Sequence, residues 1–181
     1  MSSFRIETER LVLREWREGD LNSLNTLCND LRVMEYVGPK WSIAETGQFI
    51  ASQREFQRRL GYCNWAIGRR SDSALIGFCG LKPGTLGTPV EGKLDIGWRL
   101  AFSAWGDGCA REAAEASIVW GFANLPDDTI WAKTVPANTR SWGLMLRLGM
   151  TRIAGGDFDH PALSAGDPLR RHVLYSINRP Q

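Results

Sequence analysis

The segment with the clearest chemical potential spans residues 95–116. It runs from Asp95-Ile96-Gly97-Trp98-Arg99-Leu100 through Trp105-Gly106-Asp107-Gly108-Cys109-Ala110 into an alanine-rich stretch beginning Arg111-Glu112-Ala113-Ala114. A strand that passes through a glycine turn into a helix can hold an anion. Two glycines let the backbone turn tightly and approach a ligand without a Cβ in the way. The first N–H groups of the helix have no internal partners and carry the positive end of its dipole. The resulting cradle suits phosphate best, although Gly-x-Gly before a helix also describes an ordinary strand–helix turn. Two other phosphate motifs do not fit. A dinucleotide fingerprint needs a third glycine where Arg111 stands, and the Gly-Lys-Ser/Thr of a P-loop occurs nowhere.

Two further groups could move protons. Asn138-Thr139-Arg140-Ser141 opens a helical pattern in which Ser141, Leu144, Met145 and Leu148 share one face. Asn138 reads as its N-cap, as a residue orienting a ligand, or as both. Asp157-Phe158-Asp159-His160-Pro161 concentrates titratable groups around an aromatic ring. His160, with an ordinary pKa near 6.5, suits a base at neutral pH. Asp95, Glu112, Asp157 and Asp159 are the other candidates, as is water. His172 shares a face with Leu174 and reads as a hydrogen-bonded core histidine. Cys109 could be a thiol activated at a helix N-terminus or simply a small residue tolerated in the turn.

The elements that must position these groups follow from periodicity and turn signals. Residues 10–16 alternate as a strand, and Asp20 can N-cap a helix carrying Leu21, Leu24, Cys28 and Leu31. Ser42 and Glu45 form a capping box for a helix reaching Leu60. Strands are predicted over 63–69, 74–81 and 93–100, with an irregular glycine- and proline-containing loop over 82–92. A helix over 108–125 ends at Pro126. A strand over 129–135, a helix over 139–148 closed by Gly149 and a last strand over 171–178 complete the order. The expected fold is α/β: a single mixed, mostly antiparallel central sheet with helices on both faces. No linker or repeat marks a second domain, so residues 1–181 are expected to form one domain with its core over 6–178.

Composition narrows the class. The chain has 181 residues, 43 % hydrophobic and 23 % charged, with a net charge of +2, ordinary for a globular protein. The charges are mixed along the length, so nucleic acid is not an expected partner. The four widely spaced cysteines (Cys28, Cys63, Cys79, Cys109) and two histidines suggest no metal site. The first fifteen residues lack a secretory apolar region. No apolar run approaches the roughly 20 residues of a membrane span. A reducing cytoplasm is the expected compartment.

Taken together, five segments resemble the GNAT family of N-acetyltransferases, and within it the branch of ribosomal-protein alanine acetyltransferases. They are residues 8–14, 75–81, 95–100, 105–113 and 138–150, in the family's order. The resemblance covers residues 6–178 and implies acetyl transfer from acetyl-CoA to a primary amine, with no metal. It assigns the pyrophosphate to Trp105, Gly106, Asp107, Gly108, Cys109 and Ala110. It assigns the pantetheine arm and thioester carbonyl to the backbone near Trp98, Arg99 and Leu100, with Asn138 and Ser141 nearby. Many relatives carry a tyrosine four residues after the Ser141 position to protonate the departing thiolate. Met145 stands there and cannot, which by elimination makes Ser141 the expected acid, directly or through water.

At pH 7 an α-amine loses its proton at a cost of about 1 kcal/mol and a lysine at about 4.6. A site without a strong base therefore favours a protein N-terminal α-amine, with small-molecule amines as the second class. Trp16, Trp41, Trp65 and Trp142 are candidates to line the acceptor pocket. The sheet type is compatible with a homodimer, although no segment demands one. The alternatives are a catalytically silent acyl-CoA-binding module, raised by the methionine at 145, and a nucleotide-dependent enzyme using the same turn.

Overall fold

The computed structural model describes residues 4–181; the first three residues of the expected domain lie outside the described residues. Its frame is one nine-stranded sheet. Strands β1 (Arg5–Glu7), β2 (Leu11–Arg14), β3 (Asn64–Arg69), β4 (Leu75–Pro83) and β5 (Leu94–Leu100) follow one another as antiparallel neighbours. Strand β6 (Thr129–Thr134) then joins β5 in parallel, and β9 (Arg171–Asn178) continues antiparallel beyond it. Two-residue strands β7 (Thr151–Arg152) and β8 (Phe158–Asp159) both pair with β9. The mostly antiparallel mixed sheet matches the sequence reading; β1, β7 and β8 are additions to it, being too short to show a period of two.

Helices cover both faces, each over its own core. On one face lie α4 (Cys109–Asn124) and α5 (Thr139–Arg147), packed on Trp65, Leu81, Leu94, Ile96 and Ile130. Helix α4 sits close because its inward side is small: Ala113 and Ala114 are fully buried, and a Cβ at Gly121 would fall 2.7 Å from Leu81 Cδ1. On the other face lie α1 (Asp20–Leu27), the short α2 (Leu31–Met34) and α3 (Ile43–Leu60), over Trp16, Leu24, Ile50, Ala66 and Phe78.

Helix α3 starts where the sequence places it. Ser42 accepts from the Glu45 N–H while the Glu45 carboxylate takes the Ser42 N–H, and left-handed Gly61 closes the other end. Helix α1 differs from expectation. Gly19 is its N-cap, and Asp20, instead of capping, makes a bidentate pair with Arg14 (2.7 and 2.8 Å) and accepts the Arg17 N–H. A charge buried to this degree needs such partners. Leu31 belongs to the separate helix α2 and is exposed rather than part of an α1 stripe. No helix among the described residues is long and apolar enough to cross a membrane.

Candidate active site

The parallel ladder between β5 and β6 lasts two residue pairs, Leu94 with Ile130 and Asp95 with Trp131. Past that point the strands part. The β6-facing edge of residues 96–100 therefore lacks a strand partner, an arrangement that leaves polar backbone groups for a ligand. Trp98 is half-buried and Leu100 buried, on the α4 side of the sheet. The Leu100 carbonyl accepts from Trp105 Nε1 at 2.9 Å, which folds the turn back onto the strand's end.

The glycine turn opens off that end. Gly106 and Gly108 have φ of +87° and +79°, a region that penalises any side chain. Gly108 is the N-cap of α4, and a Cβ there would also sit 3.3 Å from Arg10 Nη2. No acceptor in the described chain takes the N–H groups of residues 106–111; the first α4 residue bonded back is Glu112, to the Gly108 carbonyl. Six consecutive N–H groups without an acceptor among the described residues stand at the positive end of a 16-residue helix, an arrangement suited to an anion. Cys109 is buried at 8 % exposure, consistent with a small packing residue, and Ala110 is half-buried beside it.

Helix α5 begins just past the end of β6. Asn138 caps it, its Oδ1 accepting the Ser141 N–H at 3.2 Å. The Ser141 hydroxyl is half-buried and has no hydrogen-bond partner among the described residues. Met145 is 2 % exposed in the core, so it fills space and offers no proton. The Arg140 guanidinium lies 5.1 Å from the centre of the Trp105 ring, linking the start of α5 to the glycine turn.

The candidate bases separate by environment. Glu112 accepts from Thr8 Oγ1 (2.7 Å), the Arg10 N–H (2.8 Å) and Arg10 Nε (2.7 Å). Burial pushes its carboxyl up, but these donors outweigh it and hold the pKa below the usual range. Asp95 is 1 % exposed and lies between Lys82 (2.6 Å) and Lys133. Asp157 pairs with Arg152, and Asp159 with Arg170 and Arg171. Among the described residues His160 is the one candidate without an ionic partner. Its ring lies 5.3 Å from that of His172, and its pKa is lowered by partial burial and then by the charges of Lys133 and Lys82. His172 stacks on Phe158, and its Nδ1 lies 3.1 Å from the Arg170 carbonyl, as a hydrogen-bonded structural histidine should.

Two features were not anticipated. The cation pair Lys82 and Lys133 around Asp95 unites three strands, and no local spacing signals it. The Arg99 side chain points away from the α4 face, under the α1–α3 layer, where its guanidinium carbon lies 4.5 Å from the Trp41 ring centre and 5.3 Å from that of Phe78. Of the tryptophans proposed for an acceptor pocket, Trp65 and Trp16 are core residues at 0 and 4 % exposure, and Trp142 bonds the Pro136 carbonyl. Trp41 lies under the Arg99 guanidinium on this face, and Trp16, on the same face, donates from Nε1 to the Asn64 backbone carbonyl at 2.7 Å.

Residues 10–151 match the profile of the Acetyltransferase (GNAT) domain, and the chain belongs to that family. It is an acetyl-CoA-dependent acyltransferase. It is 28 % identical over 147 residues to the uncharacterized N-acetyltransferase p20 of Bacillus licheniformis, covering 80 % of this chain and 81 % of the relative. An acetyltransferase structure from Agrobacterium tumefaciens superposes with a TM-score of 0.79 at 24 % identity, covering 99 % of this chain and 96 % of that one. RimL, a ribosomal L7/L12 α-N-protein acetyltransferase solved with coenzyme A, superposes with a TM-score of 0.77 at 18 % identity, covering 97 and 98 % of the two chains. At such identities these structures speak for the fold.

Proposed function

We propose that this chain is an N-acetyltransferase that moves acetyl from acetyl-CoA to a primary amine, by direct attack through a tetrahedral intermediate. The observation that carries the reading is the parting of β5 from β6 next to six unpartnered N–H groups at the start of α4. We take residues 1–181 as one catalytic domain with its core over 6–178. In this reading the backbone of residues 106–111 holds the pyrophosphate, and the free edge of Trp98, Arg99 and Leu100 holds the pantetheine arm. An N–H of that edge stabilises the developing oxyanion, a contribution of roughly 3–4 kcal/mol for a preorganised donor.

Ser141 gives a proton to the departing thiolate. Its half-buried hydroxyl has no partner among the described residues, and the buried Met145 has no proton to give. His160 accepts the proton from the amine, directly or through water, at Nδ1, which for that step gives up the long 3.3 Å bond it accepts from the Ala162 N–H. The reason is electrostatic: each carboxylate candidate is already held by a lysine or arginine, whereas His160 has no ionic partner among the described residues and its pKa is lowered by burial and then by Lys133 and Lys82. With a weak base, α-amines are favoured over lysine, protein N-termini first and small-molecule amines second. The name of the RimL neighbour fits an α-amine.

Calorimetric titration with acetyl-CoA on wild type and Gly108→Val tests the cradle. Micromolar binding that the valine abolishes is expected, because the valine must adopt a left-handed backbone and meet Arg10. Absence of binding to folded wild-type protein sinks the reading. Binding without thiol release from any amine in a panel would instead identify a silent acyl-CoA-binding module.

A further inference from the structure

Register and alternation put Asp95, Gly97 and Arg99 on one face of β5, with Lys82, Gly80 and Phe78 opposite them on β4. One strand further, Asn64 and Ala66 complete the same rows. This is the face of the sheet beneath α1–α3, and its floor changes character along β5. At one end stand Asp95 and its two lysines, close enough for their charge to depress His160. At the other end stands Arg99 among Trp41 and Phe78. Between them Gly97 carries no side chain, and the one atom within 4 Å of where its Cβ would be is Asn64 Oδ1, at 3.7 Å.

Each of the two polar groups bounding that gap keeps side-chain atoms without a partner among the described residues. Asn64 is 4 % exposed and its Oδ1 accepts no hydrogen bond among the described residues. A buried carbonyl oxygen left unpaired costs free energy, and in native proteins such groups usually meet a ligand or water. Arg99 Nη1 reaches the Cys28 sulfur at 3.2 Å, and its Nε and Nη2 have no acceptor among the described residues. The guanidinium is half-buried over aromatic rings, with no carboxylate beside it among the described residues. Its free fork matches a planar carboxylate, which it can take in a bidentate bond. One end of the gap thus asks for N–H donors and the other for an anion.

We propose that the acetyl acceptor is an amine carrying its own carboxylate, a free α-amino acid with an apolar side chain, seated over Gly97 between Asn64 Oδ1 and Arg99. The amine donates to Asn64 on the side nearer His160, the carboxylate pairs with Arg99, and the side chain lies against the aromatic group of Trp41, Phe49 and Phe78. This rests on the acetyltransferase reading above and selects, within its α-amines, the free amino acid over a protein N-terminus.

The test compares L-phenylalanine with L-phenylalaninamide as acceptors, reading thiol release from acetyl-CoA in wild type, Arg99→Met and Arg99→Lys. The amide has the less basic amine, so chemistry alone favours it; a preference for the acid must come from the protein. Wild type is expected to prefer the acid in kcat/KM by about 10- to 100-fold, the range for hydrogen bonds to a charged group. Arg99→Met is expected to erase that preference and Arg99→Lys to keep part of it, since lysine retains charge without the fork. Equal use of acid and amide, or faster use of the amide, overturns the proposal while leaving the acetyltransferase standing. So does a larger response to O-phosphoethanolamine, which would make the seat one for phosphate. If no amine supports turnover, calorimetry with N-acetyl-L-phenylalanine and its amide decides. Binding of the acid alone, lost in Arg99→Met, upholds the anion seat even though the catalytic reading fails; no binding of either overturns both.

Discussion

Arg10 clamps Glu112 across 102 positions of sequence, donating to it from both its backbone N–H (2.8 Å) and its Nε (2.7 Å). The same guanidinium reaches on through Nη1 to the Asp107 carbonyl at 2.5 Å. The start of β2 is thereby tied to the glycine turn and to the first turn of α4 at once. Glu112 also sits where a carboxylate complements the helix dipole. In the proposed reading it shapes the phosphate cradle, its carboxylate being already held by Thr8 and Arg10.

Loosening that clamp should therefore act on cofactor binding before chemistry. Arg10→Gln is expected to weaken acetyl-CoA binding by about 10-fold, as donors lose their fixed geometry, with a smaller effect on kcat. Calorimetry alongside saturated-rate measurements separates the two. A fall in kcat with binding unchanged would argue against a positioning role.

Ser141→Ala should lower kcat by about 100-fold, within the range for loss of a general acid, while acetyl-CoA affinity stays within about twofold of wild type. The Ser141 N–H and its bond to Asn138 survive the change, so helix α5 keeps its cap. Unchanged turnover would remove the assignment.

The pH dependence has a definite sign. His160 must be neutral to accept a proton, and its pKa lies below the ordinary 6.5 because of partial burial and then the positive Lys133 and Lys82. The acid limb of kcat/KM should thus fall below pH 6.5 and disappear in His160→Gln. Lys82→Met removes one repelling charge and should move the limb to higher pH. A second consequence concerns stability. His160 and His172 both have folded pKa values below their ordinary ones, so the unfolded chain binds more protons there. Their effect is to lower stability as the pH drops below about 6.5. Urea midpoints between pH 5 and 7 check this; a midpoint that does not move with the double His→Gln change contradicts it.

Asp95 holds two ammonium groups while itself 1 % exposed. Asp95→Asn should leave Lys133 buried without a counter-charge and destabilise the fold by about 3 kcal/mol. Replacing both Asp95 and Lys133 with apolar residues should recover most of that loss, as double-mutant denaturation curves can show. Equal losses in the single and double variants would mean that the ion pair is not what holds the strands.

What the sequence determined by itself is whatever local spacing encodes. The glycine turn and alanine helix, the Ser42–Glu45 capping box, the Asn138 cap and the strand–helix order all depend on residues within a few positions of each other. Their physics needs no distant partner, so the family and the glycine turn were legible at once. The tertiary structure decided the rest, because it depended on register between strands. That β5 and β6 pair for two residues and then part is a matter of register between strands distant in sequence, which neither strand's own pattern encodes. The partners that hold Asp95 and Glu112, namely Lys82, Lys133, Thr8 and Arg10, are all distant in sequence. Asp20 reads locally as a cap and is instead the buried partner of Arg14. Arg99 reads as one more polar residue in a cofactor strand; only packing under α1–α3 gave its guanidinium aromatic neighbours and no counter-ion, because alternation along β5 turned it to the opposite face from Trp98.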